Sequence, residues 1–221
     1  MTTDASVKTD EERPLRRDAA RNRERILQAA GEVFATRGLE VTLDDIADHA
    51  GVGVGTVYRR FANREALIDA LFDDKLAEVL EIARIANEHP DAWDGLVMWI
   101  TGICELFAVD RGLKAVMLTS PQGQERAARA RGEIMPLVQA LLARAQADGE
   151  LRDDVTVTDI PLLEFMVTSA AEYSRGTSPE LWRRYLAILL DGLRATGPGS
   201  SALPVPALGV EQLDAAMRDW R

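Results

Sequence analysis

Hydrophobic positions in the first part of the chain repeat at the spacing of an α-helix. A first helix is predicted from near Asp18 to Arg37, with Gly38 placed to end it. Its buried face consists of apolar residues three or four positions apart: Ile26, Ala30, Val33 and Phe34. The preceding residues, 1–17, are polar and charged and are predicted to form a disordered arm.

Two short helices separated by glycines follow the first helix. Thr42 suits the N-cap of the first, whose apolar residues are Leu43, Ile46, Ala47 and Ala50. Residues 51–53, Gly-Val-Gly, form the predicted turn, and residues 54–60 form the second short helix. Asn63 is expected to cap a long fourth helix, which ends near His89 and Pro90.

The rest of the chain keeps a helical pattern and lacks the alternation of a half-buried strand. The predicted helices are 92–109, 113–118, 122–147, 159–175 and 179–194. Pro136 is expected to bend or split the third of these. Residues 197–221 are rich in Gly, Pro and Ser and are predicted to form a flexible tail with a possible short helix around 210–220. The predicted fold class is all-α.

Composition narrows the classes of function. Apolar residues make up 47% of the 221 residues, yet no apolar run approaches the roughly 20 residues that span a bilayer. The charged N-terminus lacks the apolar core of a secretory signal, so a cytoplasmic location is expected. With Cys104 alone and with His49 and His89 far apart, neither a metal site nor a cofactor is expected. Because no nucleophile–base pair or phosphate loop is evident, an enzyme is not expected.

Charge is distributed unevenly along the chain. The formal net charge is −10, but residues 13–64 contain ten arginines and seven acidic residues, a local charge of +3. The remainder therefore carries −13. A basic segment on an acidic body suggests a head that faces nucleic acid, since the body would be repelled by phosphate.

The two short helices have the form of a helix-turn-helix, whose second helix enters the major groove of DNA. Val54 and Thr56 are short enough to contact thymine methyl groups, and Gly55 lets the backbone approach the DNA closely. Arg59 and Arg60 suit phosphates or a guanine edge. A glycine turn between helices can also be purely architectural.

Three further side chains are candidates for phosphate contacts. Tyr58 offers a hydroxyl on a rigid ring, and Thr42 offers a hydroxyl at a helix N-terminus. Arg64 begins the fourth helix. Val57 and Phe61, in contrast, are expected to pack inward. The basic stretch from Arg13 to Arg25 is either a DNA-contacting arm or a solvated helix surface.

Residues 20–66 resemble the DNA-binding domain of the tetracycline-repressor (TetR) family. The resemblance is carried by residues 26–67, ILQAAGEVFATRGLEVTLDDIADHAGVGVGTVYRRFANREAL. Asn63 followed by Arg64 departs from the Lys or Ser that many members carry before the fourth helix, so the phosphate contact there shifts to Arg64. The loop DGELRDD, residues 148–154, is similar to loops of actinobacterial members.

The resemblance implies a homodimer that binds a pseudo-palindromic operator, with two recognition helices about 34–36 Å apart. It implies a DNA-binding domain at 18–65 and a ligand-binding and dimerisation domain at 66–196. The implied dimer interface is formed by helices 159–175 and 179–194. Both helices are apolar on more than one face, as a helix with two partners must be, although central core helices share that property.

The resemblance also implies a pocket for a small, largely apolar effector inside the C-terminal helices, bounded by the fourth helix. Ligand entry would displace that helix and release the DNA. The candidate lining residues are aromatic and aliphatic side chains: Trp99, Ile103, Phe107, Met117, Phe165, Met166 and Tyr173. Each is also a candidate for ordinary core packing. A DNA binder without a small ligand, or an activator, stays open at this point.

Overall fold

The computed structural model describes residues 12–38, 40–109, 121–195 and 202–219. Within these ranges the regular structure is helical, apart from one antiparallel bridge between Leu151 and Arg194. The helices are α1 (Glu12–Arg37), α2 (Leu43–Ala50), α3 (Val54–Arg60), α4 (Arg64–Glu88), α5 (Ala92–Val109), α6 (Pro121–Ala147), α7 (Asp159–Ser174), α8 (Leu181–Leu193) and α9 (Val210–Asp219). The predicted all-α class is confirmed.

The start of α1 differs from the prediction. The helix begins at Glu12, so residues 12–17 are helical rather than part of a disordered arm. The stretch consists mostly of residues that favour helices, and Pro14 falls in the first turn, where its missing N–H is not needed. The predicted arm at residues 1–11 lies outside the described residues.

The described chain up to Asp73 forms one compact unit. Its core is made by α1, α2, α3 and the first turns of α4, and its largest fully buried side chains are Ile26, Phe34, Ile46 and Leu67. Val57 and Phe61 are buried in it, which confirms that they pack inward. The two short helices, α2 and α3, therefore pack against α1 and the first turns of α4, which fix their position.

A second compact unit contains the described residues from Asp74 onward. Its core joins the later turns of α4 to α5, α6, α7 and α8. Gly95 is required where α5 crosses the end of α4, because a Cβ at this position would lie 2.5 Å from the Ala86 carbonyl oxygen. The predicted boundary after residue 65 stays a prediction, whereas the compact units divide at Asp73 within α4.

Helix α6 runs through Pro136 without interruption, so the predicted split does not occur. Near its C-terminus, Arg144 donates to the carbonyl oxygens of Asn87 at 2.7 Å and His89 at 2.8 Å. These carbonyls lie at the end of α4 and in the loop after it. Because the helix ends there, no N–H of a following helical turn can bond to them. The predicted helix 113–118 lies outside the described residues.

The prediction of a flexible tail is wrong for residues 202–219. The predicted terminal helix is present as α9, and Leu213 on it is fully buried. Three polar contacts hold the segment: Arg131 pairs with Asp214 at 2.6 Å, Thr158 donates to the Leu208 carbonyl at 2.7 Å, and the Leu203 N–H donates to Asp154 at 3.0 Å. Burial of Leu213 and these contacts outweigh the flexibility that the Gly- and Pro-rich sequence suggested. Among the described helices, none is long and apolar enough to cross a membrane.

Candidate nucleic-acid interface

A reciprocal capping box fixes the start of α2. The Asp45 N–H donates to Oγ1 of Thr42 at 3.2 Å, and the Thr42 N–H donates to Oδ2 of Asp45 at 3.0 Å. The Thr42 hydroxyl also donates to Asp45, so its proton is engaged within the box rather than free for a phosphate. These bonds and the Arg37 guanidinium at 2.8 Å lower the pKa of Asp45 to about 2.

The turn between α2 and α3 is built on Gly51. Its φ of 62° and ψ of 39° lie in the left-handed region that glycine adopts without strain. Arg25 of α1 reaches across to this turn and donates to the Ala50 carbonyl at 2.8 Å. Since the last carbonyls of a helix lack partners within the helix, Arg25 satisfies one of them and ties α1 to the turn.

Helix α3 divides into a buried and an exposed face. Val57 anchors it from the inside, while Val54, Gly55, Tyr58, Arg59 and Arg60 are exposed and Thr56 is half-buried. A Cβ on Gly55 would meet no protein atom within 4 Å, so the fold itself does not require glycine there. The six α3 residues proposed to contact DNA thus lie on one short helix whose other side is fixed.

Tyr58 has a neighbour that the sequence analysis did not identify. Its ring is 50% exposed, and the carboxylate of Asp44 on α2 lies close to its hydroxyl. The negative charge of Asp44 raises the pKa of Tyr58, with smaller contributions from burial and a hydrogen bond between the two side chains. The neutral, hydrogen-bond-donating form of the phenol is therefore favoured.

An open groove lies between α1 and α3. Three arginines and a single acidic residue give it a positive balance, which suits an anion. Its lining residues are Asp18, Asn22, Arg23, Ile26, Thr56, Arg59 and Arg60. Asn22 and Arg23 extend the basic surface of α3 onto α1, in the stretch for which the sequence offered an arm or a solvated surface.

Asn63, in the link between α3 and α4, caps α4 as predicted. Oδ1 of Asn63 accepts a hydrogen bond from the Ala66 N–H at 2.8 Å and so caps α4. Arg64 is half-buried, with Glu40 at 4.0 Å and Glu65 at 3.8 Å from its guanidinium nitrogens. Both ion pairs are loose, and a phosphate can compete for the same guanidinium.

A second side-chain link holds α2 to α1. Nε2 of His49 lies 2.7 Å from Oε2 of Glu32, and hydrogen bonds from His49 and Gln28 lower the pKa of Glu32. Together with Arg25, this contact fixes α2 against α1 from the C-terminal end of α2.

The predicted effector-lining residues do not come together as one interior set. Trp99 and Ile103 are buried in the second core, and Phe107 and Phe165 are half-buried. Tyr173 is 95% exposed and Met166 is also exposed, so neither lies in the interior of the single chain. They occupy positions seven apart on the outer face of α7. Met117 lies outside the described residues.

Helix α8, like α7, has exposed apolar side chains. Tyr185 and Ile188 are exposed there, the latter by 54%, although Trp182 and Leu186 on the same helix are buried. Both helices thus bury one face in their own core and present apolar side chains on another. This arrangement is the one expected of a helix with a second partner.

A rigid helix pair that presents a short, basic and exposed second helix defines the class of helix-turn-helix DNA-binding regulators. Residues 26–71 match the family described as bacterial regulatory proteins, tetR family, and residues 90–195 match the SbtR-like transcriptional regulator C-terminal domain. The chain belongs to the TetR family. It is a DNA-binding transcriptional regulator.

The chain is similar to curated repressors over most of its length. It is 30% identical over 177 residues to the transcriptional repressor BepR of Brucella suis, covering 76% of this chain and 78% of that protein. It is 27% identical over 189 residues to the repressor KstR2 of Rhodococcus jostii, covering 77% and 90%. These matched relatives are transcriptional regulators.

Solved structures show the same likeness. A TetR regulatory protein from Mycobacterium vanbaalenii is 33% identical, with a TM-score of 0.60, over 82% of this chain and 99% of that one. A TetR transcriptional regulator from Streptomyces coelicolor is 30% identical, also with a TM-score of 0.60, over 79% and 99%. The likeness therefore extends through both compact units.

Proposed function

We propose that this regulator is a repressor that binds a pseudo-palindromic operator as a homodimer and is released by a small, largely apolar effector. The DNA-binding part is supported by the two faces of α3: Val57 is buried, whereas Tyr58, Arg59 and Arg60 are exposed. Val54, Gly55 and Thr56 would face base edges, and Tyr58, Arg59 and Arg60 would contact phosphates or guanine. Such a repressor acts on the chromosome, so the proposal includes a cytoplasmic location and no catalytic role.

The flanking contacts extend this surface. Arg64 would contribute a further phosphate contact, for which it would exchange its loose pairs with Glu40 and Glu65. Thr42 would act mainly through its backbone position, because its hydroxyl proton is held by Asp45. Arg23 and Asn22 in the groove beside α3 would meet the next phosphates along the backbone.

The dimer would form through α7 and α8. The supporting observation is that both helices expose large apolar side chains: Met166, Tyr173, Tyr185 and Ile188. Aromatic side chains and methionine are enriched in protein interfaces, because they bury large areas at a low cost in conformational entropy. Two-fold symmetry of the dimer then requires two half-sites in the operator.

The effector would bind within the second unit, where Trp99 and Ile103 are the buried candidates and Phe107 and Phe165 the half-buried ones. Helix α4 contributes residues to both compact units. A ligand that binds best when α4 is displaced would favour a state that fits the operator poorly. A regulator of the same fold without a small ligand, or an activator, is the alternative.

The DNA-binding part is tested by measuring the affinity for the DNA upstream of the chain's own gene as a function of salt. Arg60→Ala should weaken binding several-fold and reduce the slope of log K against log salt by about 1, if Arg60 contacts a phosphate. Arg129→Ala, a change of an exposed arginine on α6, outside the proposed DNA and dimer surfaces, serves as the matched control and should leave the slope unchanged. Equal affinities of Arg60→Ala and the unchanged protein at every salt concentration would contradict the assignment of α3.

A further inference from the structure

The half-buried Glu164 of the second unit has one carboxyl oxygen that is buried without the partner that such an atom normally has. Oε1 of Glu164 on α7 is shielded from solvent and accepts no hydrogen bond from the described part of the chain. Nε1 of Trp99 on α5 is likewise buried without an acceptor among those residues. Buried polar atoms are nearly always paired, so two unpaired ones on facing helices call for an explanation.

These two groups are neighbours. The indole N–H of Trp99 lies near enough to the carboxyl to favour its ionised form, although the two atoms do not reach hydrogen-bond geometry. Cys104, five residues after Trp99 on α5, also lies within the electrostatic influence of Glu164. Trp99, Cys104 and Glu164 therefore form one buried polar cluster between α5 and α7.

The titratable groups of the cluster are both acidic. Burial raises the pKa of Glu164 to about 8, and the opposing influence is the Trp99 N–H, with no basic side chain contributing. The pKa of Cys104 is raised by burial and then by the negative charges of Glu164 and Glu105. A structural ion pair would have a lysine or arginine beside Glu164. Among the described residues no lysine or arginine contributes to its charge, so the cluster is suited to a positive or hydrogen-bond-donating group of a ligand.

We propose that Glu164 and Trp99 form the recognition centre for an effector that is mainly apolar and carries one basic nitrogen. This inference rests on the proposed function, since it names the chemical class of the effector that releases the repressor. The ligand ammonium donates to the carboxylate of Glu164. An ionised carboxylate has further acceptor sites, so it accepts from the Trp99 N–H as well, and both unpaired groups are then satisfied.

The cluster also predicts which ligands are rejected. Once Glu164 is ionised, a carboxylate or phosphate brought next to it would place two negative charges together, which strongly disfavours binding. A neutral alcohol can donate one hydrogen bond but brings no charge to offset the ionised carboxylate. The expected order of affinity is therefore amine, then alcohol, then carboxylate, for ligands with the same apolar part.

Three probes with the same tail separate these classes: decylammonium, decanol and decanoate. Binding of each to the full chain is measured by isothermal titration calorimetry or equilibrium dialysis at pH 9, where Glu164 is ionised and decylammonium is still charged. Decylammonium should bind at least tenfold more tightly than decanol, and decanoate should bind most weakly. Equal affinities of the three probes, or no binding of any of them, would overturn the proposal.

The pH dependence gives an independent measure. The groups that face Glu164 from α5 are Trp99, which does not titrate, and Cys104, whose raised pKa keeps it protonated. An alkylammonium keeps its charge up to about pH 10. Affinity for decylammonium should thus rise about tenfold between pH 7 and pH 9, as Glu164 ionises. Binding at pH 7 should release one proton, which comes from Glu164. A flat profile would contradict the role of Glu164.

Two variants complete the test. Glu164→Gln preserves shape and removes the charge, so it should lose both the preference for the amine and the pH dependence. Glu172→Gln makes the same change at an exposed position of the same helix and should keep both. Operator binding is measured in parallel. If the unchanged protein binds its operator but shows no preference for the amine, this inference alone is wrong. If it binds no operator, the proposed function is wrong.

Discussion

The guanidinium of Arg25 on α1 donates to the carbonyl oxygen of Ala50 at 2.8 Å, at the point where α2 ends and the glycine turn begins. A weaker bond of 3.4 Å reaches the Gly51 carbonyl. The stretch around Arg25 therefore does more than supply positive charge. It fixes the angle at which α2 leaves α1, and the position of α3 depends on that angle.

Arg25→Ala should destabilise the first unit by about 1 kcal/mol, the usual net value of such a bond. It should also weaken operator binding, because the turn that positions α3 loses its support. Urea unfolding and an operator titration measure the two effects. Arg25→Met keeps an apolar stem and removes the donors: if the methionine variant matches the unchanged protein in both assays, the Ala50 contact is not what matters.

Tyr58→Phe should weaken operator binding about five-fold, since it removes a single hydroxyl donor of about 1 kcal/mol. Asp44→Asn should have the opposite effect, because it takes a negative charge away from the surface that faces phosphate. Fluorescence anisotropy with labelled operator DNA measures both. A hydroxyl without a role in DNA binding would leave the phenylalanine variant at full affinity.

Ile188→Glu should convert the dimer into a monomer, because a carboxylate at this exposed apolar position would be buried between the two chains. Sedimentation velocity gives the oligomeric state directly. Val205→Glu makes the same type of change at an exposed apolar position outside α7 and α8, and should leave the dimer intact. Persistence of the dimer in the Ile188 variant would move the interface to another surface.

Leu213→Ala should lower the free energy of unfolding by about 2–4 kcal/mol, as expected when a fully buried leucine is truncated. Leu203→Ala, at an exposed leucine of the same segment, should change it by less than about 0.5 kcal/mol. Chemical unfolding compares the two variants. Equal stability of both would show that α9 is not held by Leu213.

The raised pKa of Glu164 predicts how stability depends on pH. The folded chain keeps a proton on Glu164 up to about pH 8, whereas the unfolded chain releases it near the ordinary value of 4.5. This contribution to stability is present below pH 4.5 and is lost as the pH rises to 8, by about 1.4 kcal/mol per pH unit at most. Glu164→Gln should therefore be more stable than the unchanged protein at pH 8.5, and the difference should disappear near pH 4.5 in urea unfolding.

Local rules predicted the helices that carry strong end signals. The Thr42 cap, the acidic first turn and Gly51 set the bounds of α2, and Pro90 sets the boundary before α5, which spans the predicted range of 92–109. The inward role of Val57 followed from helical spacing alone. These features depend on residues close together in the sequence, so a pattern is sufficient to find them.

Features that depend on distant residues were missed. Arg25 and Ala50 are 25 positions apart, and Arg131 and Asp214 are 83 apart, so no local pattern pairs them. The exposure of Met166 and Tyr173 has the same origin: periodicity shows that α7 has two apolar faces, but only the packing of α5 and α8 decides which face is covered. The signal available for Glu164 was a lone acidic residue within the apolar start of α7, at PLLEFM.

The docked segment after residue 201 has a practical consequence for chimeric regulators. The C-terminal family match ends at residue 195, which makes that position the obvious place to cut when the sensing half is joined to another DNA-binding head. A chain cut there would lose Leu213 and the partners of Arg131, Asp154 and Thr158. A transplanted sensor should therefore carry residues 202–219 with it, and reporter fusions are better attached beyond them.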